Sequence, residues 1–193
     1  MNKRWGILPL MICASAAQAH VGHGNHMSAL EGLQHPLGFD HLLAMLAVGL
    51  WSARVLKGKM IGLAPLAFML SLVFGALFAH QSGGQFVDAE LLISVSVVAF
   101  AGLILMPNIS KSIGFLLIVS AGLVHGWAHG MEASANGLFS WYVSGFVVTT
   151  AVLHALGVLT GVQLLKLKDS TWQWRGLSAV IAGYGLYALT MVL

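Results

Sequence analysis

The chain is poor in charged residues, which make up 8% of its 193 positions. Soluble domains carry roughly 25%. Hydrophobic residues account for 58% of the chain, so there are too few polar side chains to cover a surface that faces water. This excludes an ordinary soluble domain. The composition instead predicts an all-α protein, a polytopic bundle of transmembrane helices.

Cysteine is almost absent, because Cys13 is the single one in the chain. It falls in an N-terminal segment that is typical of a secretory signal peptide. Lys3 and Arg4 precede a short apolar stretch, and small residues ending at Ala19 form the expected cleavage site. We therefore expect residues 1–19 to be removed, which leaves a mature chain without disulfides or thiolate ligands. The alternative is an uncleaved first helix.

Long apolar stretches fill most of the mature chain, which we expect to be a single transmembrane domain over residues 20–193. A bilayer core of about 30 Å needs about 20 helical residues to cross it. No nucleotide-binding loop interrupts the apolar pattern, and strand patterns are absent. Six segments are predicted to span the membrane: 37–53, 60–79, 88–106, 112–131, 138–165 and 176–192.

Basic residues are missing from two of the five predicted loops. The loops after the first, third and fifth segments hold every Lys and Arg of the mature chain: Arg54, Lys57, Lys59, Lys111, Lys166, Lys168 and Arg175. The positive-inside rule places these loops in the cytoplasm, and a cleaved signal predicts the same orientation. We expect a bacterial inner-membrane protein with both mature termini on the periplasmic side. Since this positive charge follows topology, no nucleic-acid partner is expected.

Acidic residues and histidines collect on the opposite, outer side. Of the nine histidines, all but His154 fall in this outer half. The acidic residues predicted there are Glu31, Asp40, Asp88, Glu90 and Glu132. Such a surface attracts cations.

The start of the first segment carries His35, Asp40 and His41 at membrane depth, followed by Met45. Ionisable groups there usually face the bundle interior and pair with a partner, which makes these residues candidate metal ligands. The alternative is that Asp40 caps the helix while His41 lies among lipid headgroups.

The end of the fourth segment places His125, His129 and Glu132 on one helical face, at spacings i, i+4 and i+7. Two histidines at i and i+4 can bind one divalent metal, and a carboxylate can join them or orient them. Donors of this kind suit nickel, cobalt, zinc or copper better than magnesium or calcium.

Three further sets of histidines give weaker evidence for a metal site. His154 lies deep in the fifth segment, either as a relay ligand on a permeation path or as a hydrogen-bonding residue between helices. His80 can be merely interfacial. His20, with its terminal amine and with His23 or His26, can capture a divalent ion, or belong to a flexible polar leader.

The stretch HPLGFDHLLAMLAVG, from His35 to Gly49, resembles the signature of the HupE/UreJ family of nickel and cobalt permeases, which has the form HPxxGxDHxxxMxxVG. The later HGWAHGME is similar to that family's HG-x-E region. The resemblance covers essentially the whole chain. It implies secondary transport of Ni(II) or Co(II) for enzymes such as hydrogenase or urease, with their maturation machinery as a partner. It would make His35, Asp40 and His41 essential.

We accordingly expect a permease rather than an enzyme, with no prosthetic group and with the metal ion as cargo. A doubly charged ion moving inward through ~100 mV gains roughly 4.6 kcal/mol. One alternative is an intramembrane metal-dependent hydrolase with zinc-activated water, although no H-E-x-x-H motif is present. Another is a membrane metal sensor or chaperone. The choice between nickel and cobalt and the oligomeric state stay open.

Overall fold

The structure is a computed structural model that describes residues 28–82, 88–132 and 139–193. The predicted signal peptide and His20, His23 and His26 lie outside the described residues. Within these three ranges the chain forms helices and connecting turns, with no strand. The all-α class is confirmed.

Seven α-helices make up the described part of the chain. Two 3-10 turns, His35–Leu37 and Gly58–Gly62, join some of them. The helices are α1 (Ala29–Gln34), α2 (Phe39–Val55), α3 (Leu63–Ser82), α4 (Ala89–Leu105), α5 (Lys111–Glu132), α6 (Phe139–Leu165) and α7 (Thr171–Val192).

Several of these helices are long and apolar enough to cross a bilayer. α1 and its turn meet α2 at a bend of 76°, and this pair counts as one further span if it is treated as a single broken helix. α4 is apolar but has only 17 residues. The described residues therefore contain four to five candidate spans of a multi-pass membrane protein, and the predicted count of six is not confirmed. The four long candidates are Gly58–Ser82, Lys111–Met131, Phe139–Leu165 and Thr171–Val192.

The short helix α1 was not predicted from the sequence. It begins at a capping box in which Ser28 and Glu31 satisfy each other's backbone N–H groups. Gly38 then takes an extended backbone conformation, with ψ 139°. The first predicted segment, 37–53, is therefore α-helical from Phe39 onward, and Leu37 belongs to the preceding 3-10 turn.

Glycines hold the main helix pairs close together. Gly49 of α2 lies against the backbone of α6 at Gly157, and Gly126 of α5 lies against the backbone of α3 at Leu72. A side chain at these positions would collide with the facing backbone. This is the close approach expected where helices pack in a membrane without a strong hydrophobic drive.

Contacts between helix ends show that the long helices alternate in direction. Arg54, near the end of α2, donates to the carbonyl of Ile104 at the end of α4. Its guanidinium also lies 4.7 Å from the ring centroid of Trp174, at the start of α7. Trp51 of α2 meets Phe115, at the start of α5, with ring centroids 5.8 Å apart. The Lys and Arg residues predicted for the inner loops therefore share one end of the bundle, which we call the basic end.

The opposite end gathers the histidines. Its members include the start of α2, the end of α3, the end of α5 and the start of α6, as shown by ring contacts of His35 with His129 and of His80 with Phe139. We call it the histidine end.

Candidate metal centre

Three histidines converge at the histidine end, and we call them the histidine trio: His35, His41 and His129. Each offers one ring nitrogen, and these three atoms lie within 4.8 Å of one another. The ring centroid of His129 is 4.4 Å from that of His35 and 5.0 Å from that of His41. A metal bound at about 2.1 Å from each nitrogen would draw the rings slightly closer.

The trio comes from three separate places in the chain. His35 lies in the 3-10 turn after α1, His41 in the first turn of α2, and His129 in the last turn of α5. His41 and His129 are almost completely buried, at 5% and 0% exposure, while His35 is half-buried. His35 therefore lies on the side from which the trio can be reached.

The position of His35 depends on how α1 lies on α6. Gly32 and Gly145 bring the two backbones together, and a Cβ on Gly145 would lie 2.8 Å from the backbone nitrogen of Leu33. The hydroxyl of Thr149 also donates to the carbonyl of Leu33 at 2.8 Å. The turn that carries His35 follows this docked segment directly, so the α1–α6 contact determines where His35 can reach.

Asp40 contacts His41 rather than joining the three clustered nitrogens. Its Oδ1 lies 2.9 Å from Nδ1 of His41 and accepts the backbone N–H of His41 at 2.8 Å. A proton held on Nδ1 by a carboxylate leaves the Nε2 lone pair as the metal-binding one, an arrangement common around metal sites. In this geometry Asp40 orients a ligand, and its predicted role as a direct ligand stays a prediction.

His125 lies one turn deeper than His129 along α5, about 6 Å further by helical rise. It is fully buried, and its ring centroid is 5.1 Å from that of His41. Its Nδ1 is 2.8 Å from the carbonyl of Ala121, which fixes the proton there, and its Nε2 has no hydrogen-bond partner among the described residues. His125 is thus a ready nitrogen donor directly beneath the trio.

Aromatic rings wall the site on its inner sides. His129 stacks on Phe146 with centroids 4.8 Å apart, and Tyr142 packs edge-on against the same phenylalanine. Phe68 lies beneath His125 at 5.4 Å. Sequence reasoning missed these three residues, since an aromatic side chain in a membrane helix gives no signal that separates a site wall from ordinary packing.

Comparison with known proteins shows the family of the chain. The sequence model of the family described as "HupE / UreJ protein" matches residues 8–188. The chain is also 32% identical over 183 residues to "Protein HupE" of Rhizobium leguminosarum bv. viciae, a match that covers 93% of this chain and 94% of that relative. The chain belongs to the HupE/UreJ family. No solved structure matches it.

The family signature is not matched completely. In the form HPxxGxDHxxxMxxVG two residues separate the proline from the glycine, whereas this HupE/UreJ protein has only Leu37 between Pro36 and Gly38. His35 nevertheless reaches His129, because the 3-10 turn and the extended Gly38 bend the chain back over the end of α5. The shorter spacing is therefore compatible with a closed trio.

His80 and His154, two further predicted site residues of this family member, lie apart from the trio. His80 stacks on Phe139, with centroids 4.0 Å apart and planes inclined by 5°. Glu132 ends α5, but its side chain is outside the described set, as is the whole of His20. His154 lies deeper, 5.1 Å from Phe68 between ring centroids. The structure thus brings together His35, His41 and His129, with Asp40 and His125 in contact with His41.

Proposed function

We propose that this HupE/UreJ protein is a secondary transporter, a permease that takes up Ni(II) or Co(II) across the inner membrane from the periplasm to the cytoplasm. The observation that carries the proposal is the histidine trio, which lies at one end of a bundle of membrane helices. We expect no prosthetic group and no catalytic reaction, since the ion is the cargo.

The donor chemistry supports a late first-row metal. Three imidazole nitrogens without a thiolate suit nickel, cobalt, zinc or copper, and the resemblance to the permease signature narrows this to nickel or cobalt. Both ring nitrogens of His129 and Nε2 of His125 have no hydrogen-bond partner within the described ranges. Leaving a buried polar group unsatisfied costs about 1–3 kcal/mol. A bound cation would recover part of this cost.

The two ends of the bundle suit uptake in one direction. Asp40 is 29% exposed in its side chain at the histidine end, so a cation can approach there. The basic residues at the other end favour a cytoplasmic location. The inside-negative membrane potential then drives a doubly charged ion from the histidine end to the basic end, with roughly 4.6 kcal/mol available per ~100 mV.

A topology of six crossings fits the alternating helix directions. α4 begins at its cap Asp88 and ends beside Arg54 at the basic end. Its 17 residues extend about 26 Å, close to the thickness of a thin bilayer core. We propose that α4 crosses as well, which places both mature termini in the periplasm after removal of residues 1–19. The delivered metal would supply maturation of an enzyme such as hydrogenase or urease.

Uptake of radiolabelled Ni(II) and Co(II) into proteoliposomes tests the proposal. We expect saturable uptake by the wild type and none by His41→Ala, which removes the ligand that contacts both other members of the trio. His80→Ala is the matched control: it also removes a histidine at the histidine end, but one that stacks on Phe139 outside the trio. Metal binding by the purified wild type without any flux would reject the permease.

A further inference from the structure

Phe68 contacts two histidines that lie at different depths of the bundle. This residue of α3 is fully buried. Its ring centroid is 5.4 Å from that of His125 and 5.1 Å from that of His154, with edge-on geometry in both cases. The aromatic ring therefore contacts both the deepest histidine under the trio and one further nitrogen donor.

His154 is held in the orientation of a metal ligand. Its Nδ1 is 2.8 Å from the carbonyl of Thr150, one turn earlier in α6, so the proton belongs on Nδ1 and the lone pair on Nε2. The residue is 1% exposed, and its Nε2 has no hydrogen-bond partner in the described part of the chain. This geometry disfavours the alternative of a hydrogen bond between helices, because the observed bond stays within α6.

Thr150 adds a second unsatisfied group on the same side of α6. Its hydroxyl is fully buried and also has no hydrogen-bond partner among the described residues. Buried polar groups in proteins are nearly always hydrogen-bonded, so exceptions need an explanation such as a ligand or water. Two such groups on adjacent turns indicate a polar site inside an otherwise apolar region.

The site is distinct from the histidine trio. Phe146, which stacks on His129, precedes His154 by eight residues on α6, a separation of about 12 Å along the helix. Beyond His154, Gly157 and Gly161 pack against α2 at Leu46, Gly49 and Ala53. Among the described histidines, His154 is the one nearest the basic end.

We propose that His154, with the hydroxyl of Thr150, is an inner binding station for the transported divalent cation, separated from the histidine trio by the ring of Phe68. This inference rests on the proposed transport function. A single imidazole replaces only one ligand of a hydrated ion, so the ion keeps water and is held weakly there. Weak binding suits a station from which the ion must leave, and a rotation of Phe68 would let it pass from His125 to His154.

The test combines equilibrium binding and flux, with Co(II) as the probe in both. Purified full-length protein in detergent is titrated with Co(II), and visible absorption reports nitrogen ligation. The same variants are assayed for Co(II) uptake in proteoliposomes. His154→Ala removes the ligand, and His154→Gln retains a polar side chain if the alanine variant does not fold. Leu153→Ala, at the neighbouring buried position, is the control for lost packing.

We expect a strong and a weak binding phase in the wild type and in Leu153→Ala. Both His154 variants should keep the strong phase, lose the weak one, and lose flux by at least about tenfold. Wild-type flux in the His154 variants, or loss of their strong phase, would overturn the inner station. An equal loss of flux in Leu153→Ala would overturn it too. If the wild type shows both binding phases but no flux, the permease function is rejected. Loss of the weak phase in the His154 variants would then still show that His154 binds Co(II).

Discussion

The two ends of the bundle are built from opposite chemistry. At the histidine end, imidazoles face one another, and Asp40 favours the tautomer of His41 that has its proton on Nδ1 and its lone pair on Nε2. At the basic end, the cation Arg54 lies on Trp174 and donates to Ile104, which ties α2, α4 and α7 together. The histidine end presents nitrogen lone pairs that can bind a cation. At the basic end, the charged side chain of Arg54 joins helices. Under the proposed function, the histidine end receives the ion, whereas Arg54 at the basic end holds helices together.

Even the single acidic residue near the basic end differs from Asp40. Asp169 is exposed and accepts the backbone N–H of Thr171 at 3.0 Å. Hydrogen bonds from the backbone and the side chain of Thr171 hold the pKa of Asp169 below its usual range. The carboxylate of Asp169 therefore stabilises the start of α7, whereas the carboxylate of Asp40 contacts His41, a member of the histidine trio.

The largest effect on Co(II) affinity should come from removing the carboxylate of Asp40, which contacts His41. Asp40→Ala removes the carboxylate that fixes the tautomer, and we expect the affinity for Co(II) to fall by about 10–100-fold, as for other residues that orient metal ligands. Asp40→Asn keeps an oxygen that can accept the Nδ1 proton, so it should retain more affinity than Asp40→Ala. Titration of the purified variants with Co(II) measures both. Equal losses in the two variants would indicate direct ligation by the carboxylate instead.

A smaller effect should follow from shifting α1 without touching any histidine. In Gly145→Ala the added methyl collides with the backbone of α1, so His35 should shift without being lost, and the affinity should fall by a smaller factor than in Asp40→Ala or His35→Ala. Gly183→Ala is the matched control, because a Cβ there meets nothing within 4 Å. Co(II) titration of the three variants checks this. Wild-type affinity in Gly145→Ala would show that His35 is positioned by its own turn alone.

The smallest effect on metal binding should come from the basic end. Arg54→Gln removes the cation that lies on Trp174, and we expect the free energy of unfolding to fall by about 1 kcal/mol while Co(II) affinity is unchanged. Lys57→Gln removes an exposed positive charge nearby and is the control. Denaturation in detergent, followed by circular dichroism, gives the stability. A loss of Co(II) affinity in Arg54→Gln would mean that the two ends are not independent.

Sequence patterns predicted much of this arrangement, because their causes are local. Apolar length predicted the helices, and the distribution of Lys and Arg predicted which helix ends lie together. The spacing of His125 and His129 predicted a shared face. The sequence could not show that α2 and α5 meet, since this depends on contacts between distant segments such as Gly114 of α5 with the ring of Trp51 of α2.

The break before α2 was harder to foresee. Pro36 suits the first turn of a helix, but the sharp bend and the docking of α1 depend on the fit between Gly32 and Gly145, which are far apart in the sequence. Likewise, the sequence left open whether the partner of Asp40 is an imidazole or a bound cation, because its contact with the neighbouring His41 depends on side-chain rotamers. The position of Phe68 next to His125 and His154 could not be predicted either, because it depends on how α3, α5 and α6 pack together.

Co(II) accumulation in proteoliposomes under an imposed inside-negative potential tests most directly whether the histidine end receives the ion. Orientation of the reconstituted protein is determined by protease access to the basic loops, and uptake is counted only for molecules with the histidine end outside. We expect accumulation that rises with the potential and disappears in His41→Ala. Saturable Co(II) binding at the trio with no accumulation at any potential would contradict a permease.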